Sequence, residues 1–207
     1  MPRSGICAFA VVATNAGLSY LSSRPATADA ALWADMIRRA REQDASGLAA
    51  ISIEVWLNTY LRDGVSQLFA DYVLSEFTAQ KFRNAIEDSS LAIWVSEHGI
   101  GIDGFVTVCS TAVPPLPDCS PLEIMTLYVR PRRQSSGRGV ALLRRAVEFC
   151  DGISGENVWL KVNARNDRAI DFYVRHGFNR IGSTHFRIGE QAYENYVMKR
   201  DLRNPVD

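Results

Sequence analysis

Leu122 to Val129 is an extended apolar run that enters a loop of small residues and leaves it as a helix, and this transition restricts the fold more than any other stretch. The loop is Gln134-Ser135-Ser136-Gly137-Arg138-Gly139, and the helix after it places Leu142, Leu143, Ala146, Val147 and Cys150 on an inner face. Gly137 and Gly139 allow close backbone approach, and the unpaired N–H groups at a helix start suit an oxyanion such as a pyrophosphate. Arg130, Arg132, Arg133, Arg138, Arg144 and Arg145 occur here with no acidic residue between them. On these features alone the segment also fits a glycine-containing helix start with a solvated basic face. It is not a mononucleotide P-loop, since no Lys-Ser/Thr follows the glycines, and it lacks the three-glycine dinucleotide fingerprint.

The remaining pattern supplies a layered frame. At 207 residues the chain has the length of one ordinary domain and needs neither disulfides nor a structural metal to bury a core. Residues 1–17 read as a flexible extension and residues 18–207 as a single domain. Leu18 to Leu21 is expected as a first strand, with Thr27 or Asp29 capping a helix that carries Leu32, Trp33, Met36, Ile37 and Ala40. A second helix carries Ile53, Trp56, Leu57, Tyr60 and Leu61 and stops near Asp63-Gly64; shorter ones cover Leu68 to Leu74 and Thr78 to Ile86. Leu91 to Val95 and Phe105 to Cys109 form a hairpin around turn material from Glu97 to Gly104. Pro114, Pro115, Pro117 and Pro121 then keep the chain out of a ladder. After the Gly139 to Cys150 helix come strands at Val158 to Val162, Phe178 to Ile188 and Tyr193 to Lys199, with a short helix from Arg168 to Arg175. Helices before a hairpin, then strand and helix in alternation, indicate an α/β (α+β) layer with a mostly antiparallel start.

Charge and cysteine usage narrow the partners. Lys+Arg 23 balances Asp+Glu 23, so no global field recruits nucleic acid or anionic lipid. Cys7, Cys109, Cys119 and Cys150 form no CxxC pair, and His98, His176 and His185 have no zinc-like spacing, so no metal is expected. Such cysteines fit a reduced cytoplasmic protein. The apolar run Ile6 to Ala13 faintly resembles a signal peptide but breaks at Thr14-Asn15, and is too short to span a bilayer.

Two motifs carry a resemblance. Gln134-Ser135-Ser136-Gly137-Arg138-Gly139 matches the Gln/Arg-x-x-Gly-x-Gly/Ala signature of the GCN5-related N-acetyltransferase (GNAT) superfamily. Asn166-Asp167-Arg168-Ala169-Ile170-Asp171-Phe172-Tyr173-Val174-Arg175-His176-Gly177-Phe178 looks like that superfamily's Asn-x-x-Ala-x-x-Phe-Tyr-x-x-x-Gly-Phe element. The resemblance covers roughly Ser22 to Leu202, with Arg24-Pro25-Ala26-Thr27 and Asp29-Ala30 similar to the usual first strand and helix opening. Within the superfamily, Gly182 to Gly189, Tyr193 to Lys199, Phe69-Ala70-Asp71-Tyr72 and Phe77-Thr78 are similar to bacterial spermidine/spermine acetyltransferases. The chain departs from those at Lys161 to Asn166, where they often carry a tryptophan.

The resemblance implies a GNAT fold, with a central mixed, mostly antiparallel sheet flanked by helices, and acetyl-CoA as donor. It implies that the backbone from Gln134, Ser135, Ser136, Gly137, Arg138, Gly139 and Val140 holds the pyrophosphate. Leu127, Tyr128 and Val129 would hold the pantetheine arm like an added strand. Asn166, Ala169, Phe172 and Tyr173 would also contact the cofactor, Asn166 orienting the pantetheine arm or the element that carries Tyr173; Tyr173 would face the sulfur, and Glu123 would take the amine proton through water. On strand alternation Glu123 shares a face with Met125 and Leu127, and a solvated strand-end acid fits the same position. For Tyr173 a packing role at a helix–sheet junction also fits, and for Asn166 a helix cap.

On the acceptor side, Glu54, Asp63, Asp71, Glu76, Glu87 and Asp88 lie among Trp56, Tyr60, Phe69 and Tyr72, a composition suited to a cationic amine. Three readings stay open: acetyl transfer to a small amine such as a polyamine, transfer to a protein or peptide N-terminus, and a non-catalytic acyl-CoA-binding regulator. Homodimers are common in the superfamily, and no nucleic-acid or membrane partner is expected.

Overall fold

The apolar alternation in the second half of the chain closes into a seven-stranded sheet in the computed structural model, which describes residues 36–60, 64–99, 101–153 and 155–202. In chain order the elements are β1 (Ile37–Arg39), α1 (Ala45–Tyr60), α2 (Gln67–Glu76), α3 (Ala79–Glu87), β2 (Leu91–His98), β3 (Gly101–Cys109) and β4 (Glu123–Val129). Then follow α4 (Arg138–Gly152), β5 (Asn157–Asn163), α5 (Asp167–Arg175), β6 (Asn179–Ile188) and β7 (Gln191–Asp201). Ser66 and Thr78 start α2 and α3 by accepting the N–H groups of Phe69 and Lys81 on their side-chain oxygens.

The sheet order is β1-β2-β3-β4-β5-β7-β6, and every neighbouring pair is antiparallel except β4 and β5. That parallel contact has one register pair, Glu123 with Trp159, reinforced by the Trp159 N–H donating to the Leu122 carbonyl at 3.1 Å. Towards Val129 and Asn163 the two strands part. A bulge feeds the divergence: Thr107 faces Thr126 but Val108 faces Ile124, so Met125 is an extra residue in β4.

Both faces of the sheet are covered. One buries Ile124, Leu127, Val129, Val158, Leu160 and Val162 under Leu142, Leu143, Ala146 and Cys150 of α4 and Ala169 and Tyr173 of α5. The other buries Ile93, Val95, Phe105 and Tyr128 under Leu48, Val55 and Trp56 of α1 and Phe82 and Ala85 of α3.

Two expectations fail here. Ile37, expected on a helix, belongs to β1, whose residues Ile37 to Arg39 pair with Ser96 to Trp94 of β2. Pairing with a strand more than fifty residues away outweighs a local three-and-four spacing. The expected strand at Leu18 to Leu21, the Thr27 or Asp29 cap, Leu32 and Trp33, and the opening from Arg24 to Ala30 lie outside the described residues, as do Cys7, Leu61 and Asp63. The Glu97 to Gly104 turn is also much shorter than expected, because β2 runs to His98 and β3 restarts at Gly101, with Gly99 at φ 59°.

Candidate active site

The loop after β4 is built to leave backbone donors open. Ser135 and Gly137 take left-handed φ values of 61° and 85°, turning the chain sharply into α4. Gly137 is the N-cap residue, and no side chain caps the helix. The first-turn N–H groups, including those of Gly139 and the half-buried Val140, therefore lack intrahelical acceptors at the positive end of a 15-residue helix. Gln134 Nε2 donates to the Val129 carbonyl at 3.0 Å and Ser136 Oγ donates to the Arg133 carbonyl at 2.5 Å, fixing the loop to the strand end.

Of the six arginines, Arg132 and Arg133 lie exposed in the turn Pro131–Arg133 that enters this loop, and the other four are engaged elsewhere. Arg138 is buried, with Nε 2.5 Å from Asp103 Oδ2 and a guanidinium N–H donating to Ser136 Oγ at 2.8 Å, so its side chain anchors both the helix start and the loop. Asp103 was read as turn material. It is instead the extra residue of a β3 bulge, since Ser96 faces Gly104 while Glu97 faces Ile102. A lone acid in the run Ile102-Asp103-Gly104-Phe105 is the sequence signal for it. Arg130 is held by Glu54, 2.6 Å from Nε to Oε2, and Arg144 and Arg145 line a cavity on the far side of α4.

The second motif meets the first through Phe172. A Cβ on Gly139 would lie 3.8 Å from Phe172 Cζ, and the Phe172 ring packs on Tyr173 with centroids 5.3 Å apart. Asn166 caps α5, its Oδ1 accepting from the Ala169 N–H at 3.1 Å, and Ala169 is fully buried beneath the cap. Tyr173 is fully buried, and its hydroxyl has no hydrogen-bond partner among the described residues. Burial pushes its pKa well above the ordinary phenol value.

Glu123 opens β4 at the single pairing point with β5, buried, with Oε1 3.0 Å from Lys161 Nζ. Burial raises its pKa, and the Lys161 charge and hydrogen bond pull the other way. The expected shared face with Leu127 is wrong. Ile124 and Leu127 lie in the same core, which strict alternation forbids, because Met125 is bulged out between them. Glu123 therefore faces the side of Lys161 and Trp159, opposite the core that holds Tyr173. Leu127 and Val129 point into the Tyr173 core and Tyr128 into the other, so this strand offers a ligand in the parting its backbone.

An acetyltransferase (GNAT) family model matches residues 66–178, which span the loop and the α5 element. The chain belongs to this family. It is 27% identical over 159 residues to an uncharacterized N-acetyltransferase of Mycobacterium tuberculosis, covering 77% of this chain and 98% of the relative. It is 34% identical over 83 residues to the N-alpha-acetyltransferase RimI of the same organism, 40% of this chain and 51% of that protein. A PaiA N-acetyltransferase from Thermoplasma acidophilum, solved with coenzyme A, shares the fold with a TM-score of 0.65 at 18% identity, over 80% of this chain and 97% of that one. The protein is an N-acetyltransferase, and its acetyl donor is acetyl-CoA.

The residues present fit that donor. A left-handed glycine at an uncapped helix start suits the pyrophosphate, and the orphaned Tyr173 hydroxyl is a buried donor awaiting an acceptor.

For this GNAT enzyme, three of the acids expected to form an acceptor pocket are engaged elsewhere among the described residues. Glu54 is paired with Arg130 and Glu76 with Lys81, while Asp88 accepts from the N–H and hydroxyl of Ser90. Asp71 and Glu87 are exposed on α2 and α3, and Asp63 is outside the described residues. What assembles instead is aromatic: Trp56 packs on Phe69 and Tyr72 at 5.4 Å each, and Tyr72 and Phe69 reach Phe186 and Tyr193 of the β6–β7 hairpin at 5.7 and 6.1 Å. None of the relatives above is a spermidine or spermine acetyltransferase by name. No helix among the described residues is long and apolar enough to cross a membrane.

Proposed function

We propose that the protein acetylates a single primary amine, on a small molecule or an amino terminus, with Glu123 accepting the amine proton and Tyr173 serving the departing sulfur. The observation that carries this reading is the buried hydroxyl of Tyr173, without a hydrogen-bond partner among the described residues, on the helix packed, through Phe172, against the loop at Gly139. The amide N–H groups of Gly137, Arg138, Gly139 and Val140 take the pyrophosphate, and the backbone of Leu127, Tyr128 and Val129 takes the pantetheine arm where β4 leaves β5. When bound, acetyl-CoA supplies an activated thioester carbonyl.

The chain's own residues manage protons. A primary amine is only about 0.1% neutral at pH 7, so a base is needed. Glu123, raised above an ordinary carboxylate by burial, is a stronger base than a solvated one, and the Lys161 charge opposes that rise. Glu123 would take the proton whose loss frees the amine for attack, and the second proton, released as the C–N bond forms and the C–S bond breaks, would pass to the departing sulfur, which Tyr173 would hold by a hydrogen bond. Because burial strengthens the phenol's hold on its proton, Tyr173 acts as a positioned donor and not as a full acid. Glu123 and Tyr173 sit on opposite faces of the sheet, so the parting of β4 from β5 is the route between amine and thioester.

The acceptor class follows from the engaged acids. With Glu54, Glu76 and Asp88 committed, a second distant ammonium gains little, and the likeness to an N-alpha-acetyltransferase favours a lone amine. A thiol-release assay comparing spermidine, a matched monoamine and short peptides across a salt series tests it. The monoamine or a peptide should equal or exceed spermidine at every salt concentration. A spermidine advantage that shrinks with salt would restore polyamine recognition, and coenzyme binding with no thiol release on any amine would leave only a binding protein.

A further inference from the structure

We propose that the cavity between β1, β2 and α4 is a second ligand site, separate from the acetyl-CoA loop, that binds a small anion with two or more negative charges, carboxylate or phosphate. The cavity measures about 260 Å³ and is lined by Ile37 and Arg39 of β1, Trp94 of β2, and Arg144, Arg145 and Glu148 of α4. Residues 144, 145 and 148 lie on one face of α4, the face turned to the sheet edge.

The charges in this cavity are unbalanced. Arg39 and Arg145 both lie over the Trp94 ring, with guanidinium carbons 4.8 and 5.5 Å from its centroid. Two cations on one ring repel, and partial burial together with the Arg145 charge depresses the Arg39 pKa. Arg38, also at the cavity, is already neutralised by Asp44 at 2.7 Å and Glu97 at 3.0 Å. Arg39 and Arg144 have no carboxylate partner among the described residues, and Glu148 stands 3.6 Å from Arg145, longer than the roughly 2.7–2.9 Å of a charge-assisted bond. Three guanidinium groups thus surround one loosely engaged carboxylate, in a chain whose total charge is zero.

Trp94, 2% exposed, gives the cavity a rigid aromatic floor under Arg39 and Arg145. Like-charge crowding around one concavity is what an anion relieves. Arginine forks grip carboxylate or phosphate in bidentate fashion, and the volume, just below the roughly 300–1,000 Å³ of larger ligand pockets, suits a compact ligand. At 1.5 Å per residue the α4 lining runs from Ala141, roughly 4.5 Å beyond Arg138 at the cofactor loop, to Arg144 at roughly 9 Å and on to Glu148.

Calorimetric titration of the full chain, already saturated with coenzyme A, with citrate and with inorganic pyrophosphate tests the site and separates the two anion chemistries. One saturable site per chain is expected for at least one of them, weakened at least tenfold by Arg39→Gln or Arg145→Gln and unchanged by Arg83→Gln, a distant control. Both substituted positions are on the surface, and circular dichroism confirms that the variants fold. No saturable binding, or equal losses in all three variants, overturns the proposal. So does a loss of affinity for coenzyme A, but not for dephospho-coenzyme A, in the Arg39 and Arg145 variants, because the cavity would then belong to the cofactor's own 3′-phosphate.

Discussion

Glu123 and Lys161 meet at 3.0 Å at the last point where β4 and β5 remain paired, and their coupling makes the proposed base testable by pH. Burial raises the Glu123 pKa and Lys161 opposes the rise. If Glu123 must be ionised to take the amine proton, kcat/KM climbs with pH through a midpoint above the ordinary glutamate range. Lys161→Met removes the opposing charge, so that midpoint moves higher. Stability shifts in step. A carboxyl whose folded pKa lies above its unfolded value contributes fully below the unfolded value and loses that contribution as pH rises through the folded one. The variant should therefore lose more thermal stability, relative to wild type, at pH 8 than at pH 5. Rate profiles and melting curves at both pH values check this, and an unmoved acidic limb would remove Glu123 from proton transfer. The position of Glu123 was legible because it opens the strand leading to the loop. Its face was not, because a bulge at Met125 inverts side-chain parity and leaves no mark in an apolar run.

At the scale of elements, the strand–loop–helix transition was readable because glycines and small residues at a helix start have local causes. What holds it in place was not, since the anchor for Arg138 comes from a bulge 35 residues upstream. Asp103→Ala deprives a guanidinium that is 3% exposed of the carboxylate 2.5 Å away. Breaking a buried pair in this way costs about 3 kcal/mol, a Tm fall of roughly 6–12 °C in a chain of this size. Because Arg138 opens α4, the same variant should also weaken acetyl-CoA binding, by about tenfold, as the first-turn N–H groups lose their fixed direction. Melting curves and calorimetric titration below the lowered Tm separate the two effects. Unchanged affinity would mean that the loop is positioned without this pair. The arginines illustrate the same limit: sequence placed six together, but strands, bulges and helix faces sent Arg130 to Glu54, Arg138 to Asp103, and Arg144 and Arg145 to a cavity beside Trp94, leaving only Arg132 and Arg133 exposed beside the loop.

Across the whole molecule, the two motifs were enough for the family and the sheet class, because the residues of each lie close together in sequence and the family model spans both. The start of the sheet was misread for the opposite reason: Ile37 to Arg39 become a strand only by pairing with β2. On the acceptor side, composition could not tell a free carboxylate from one engaged by Arg130 or Lys81, as Glu54 and Glu76 are. The central claim is that the layers bring Tyr173 to the thioester, and its hydroxyl gives an unusually clean test. It has no partner among the described residues, so Tyr173→Phe removes a buried unsatisfied group and should leave Tm equal or higher. Acetyl-CoA affinity should change by less than about twofold, while kcat falls by roughly tenfold to a thousandfold, the mark of an interaction made mainly at the transition state. Wild-type kcat in Tyr173→Phe, measured on the best amine with chemistry rate-limiting, would contradict the account and return Tyr173 to a packing role.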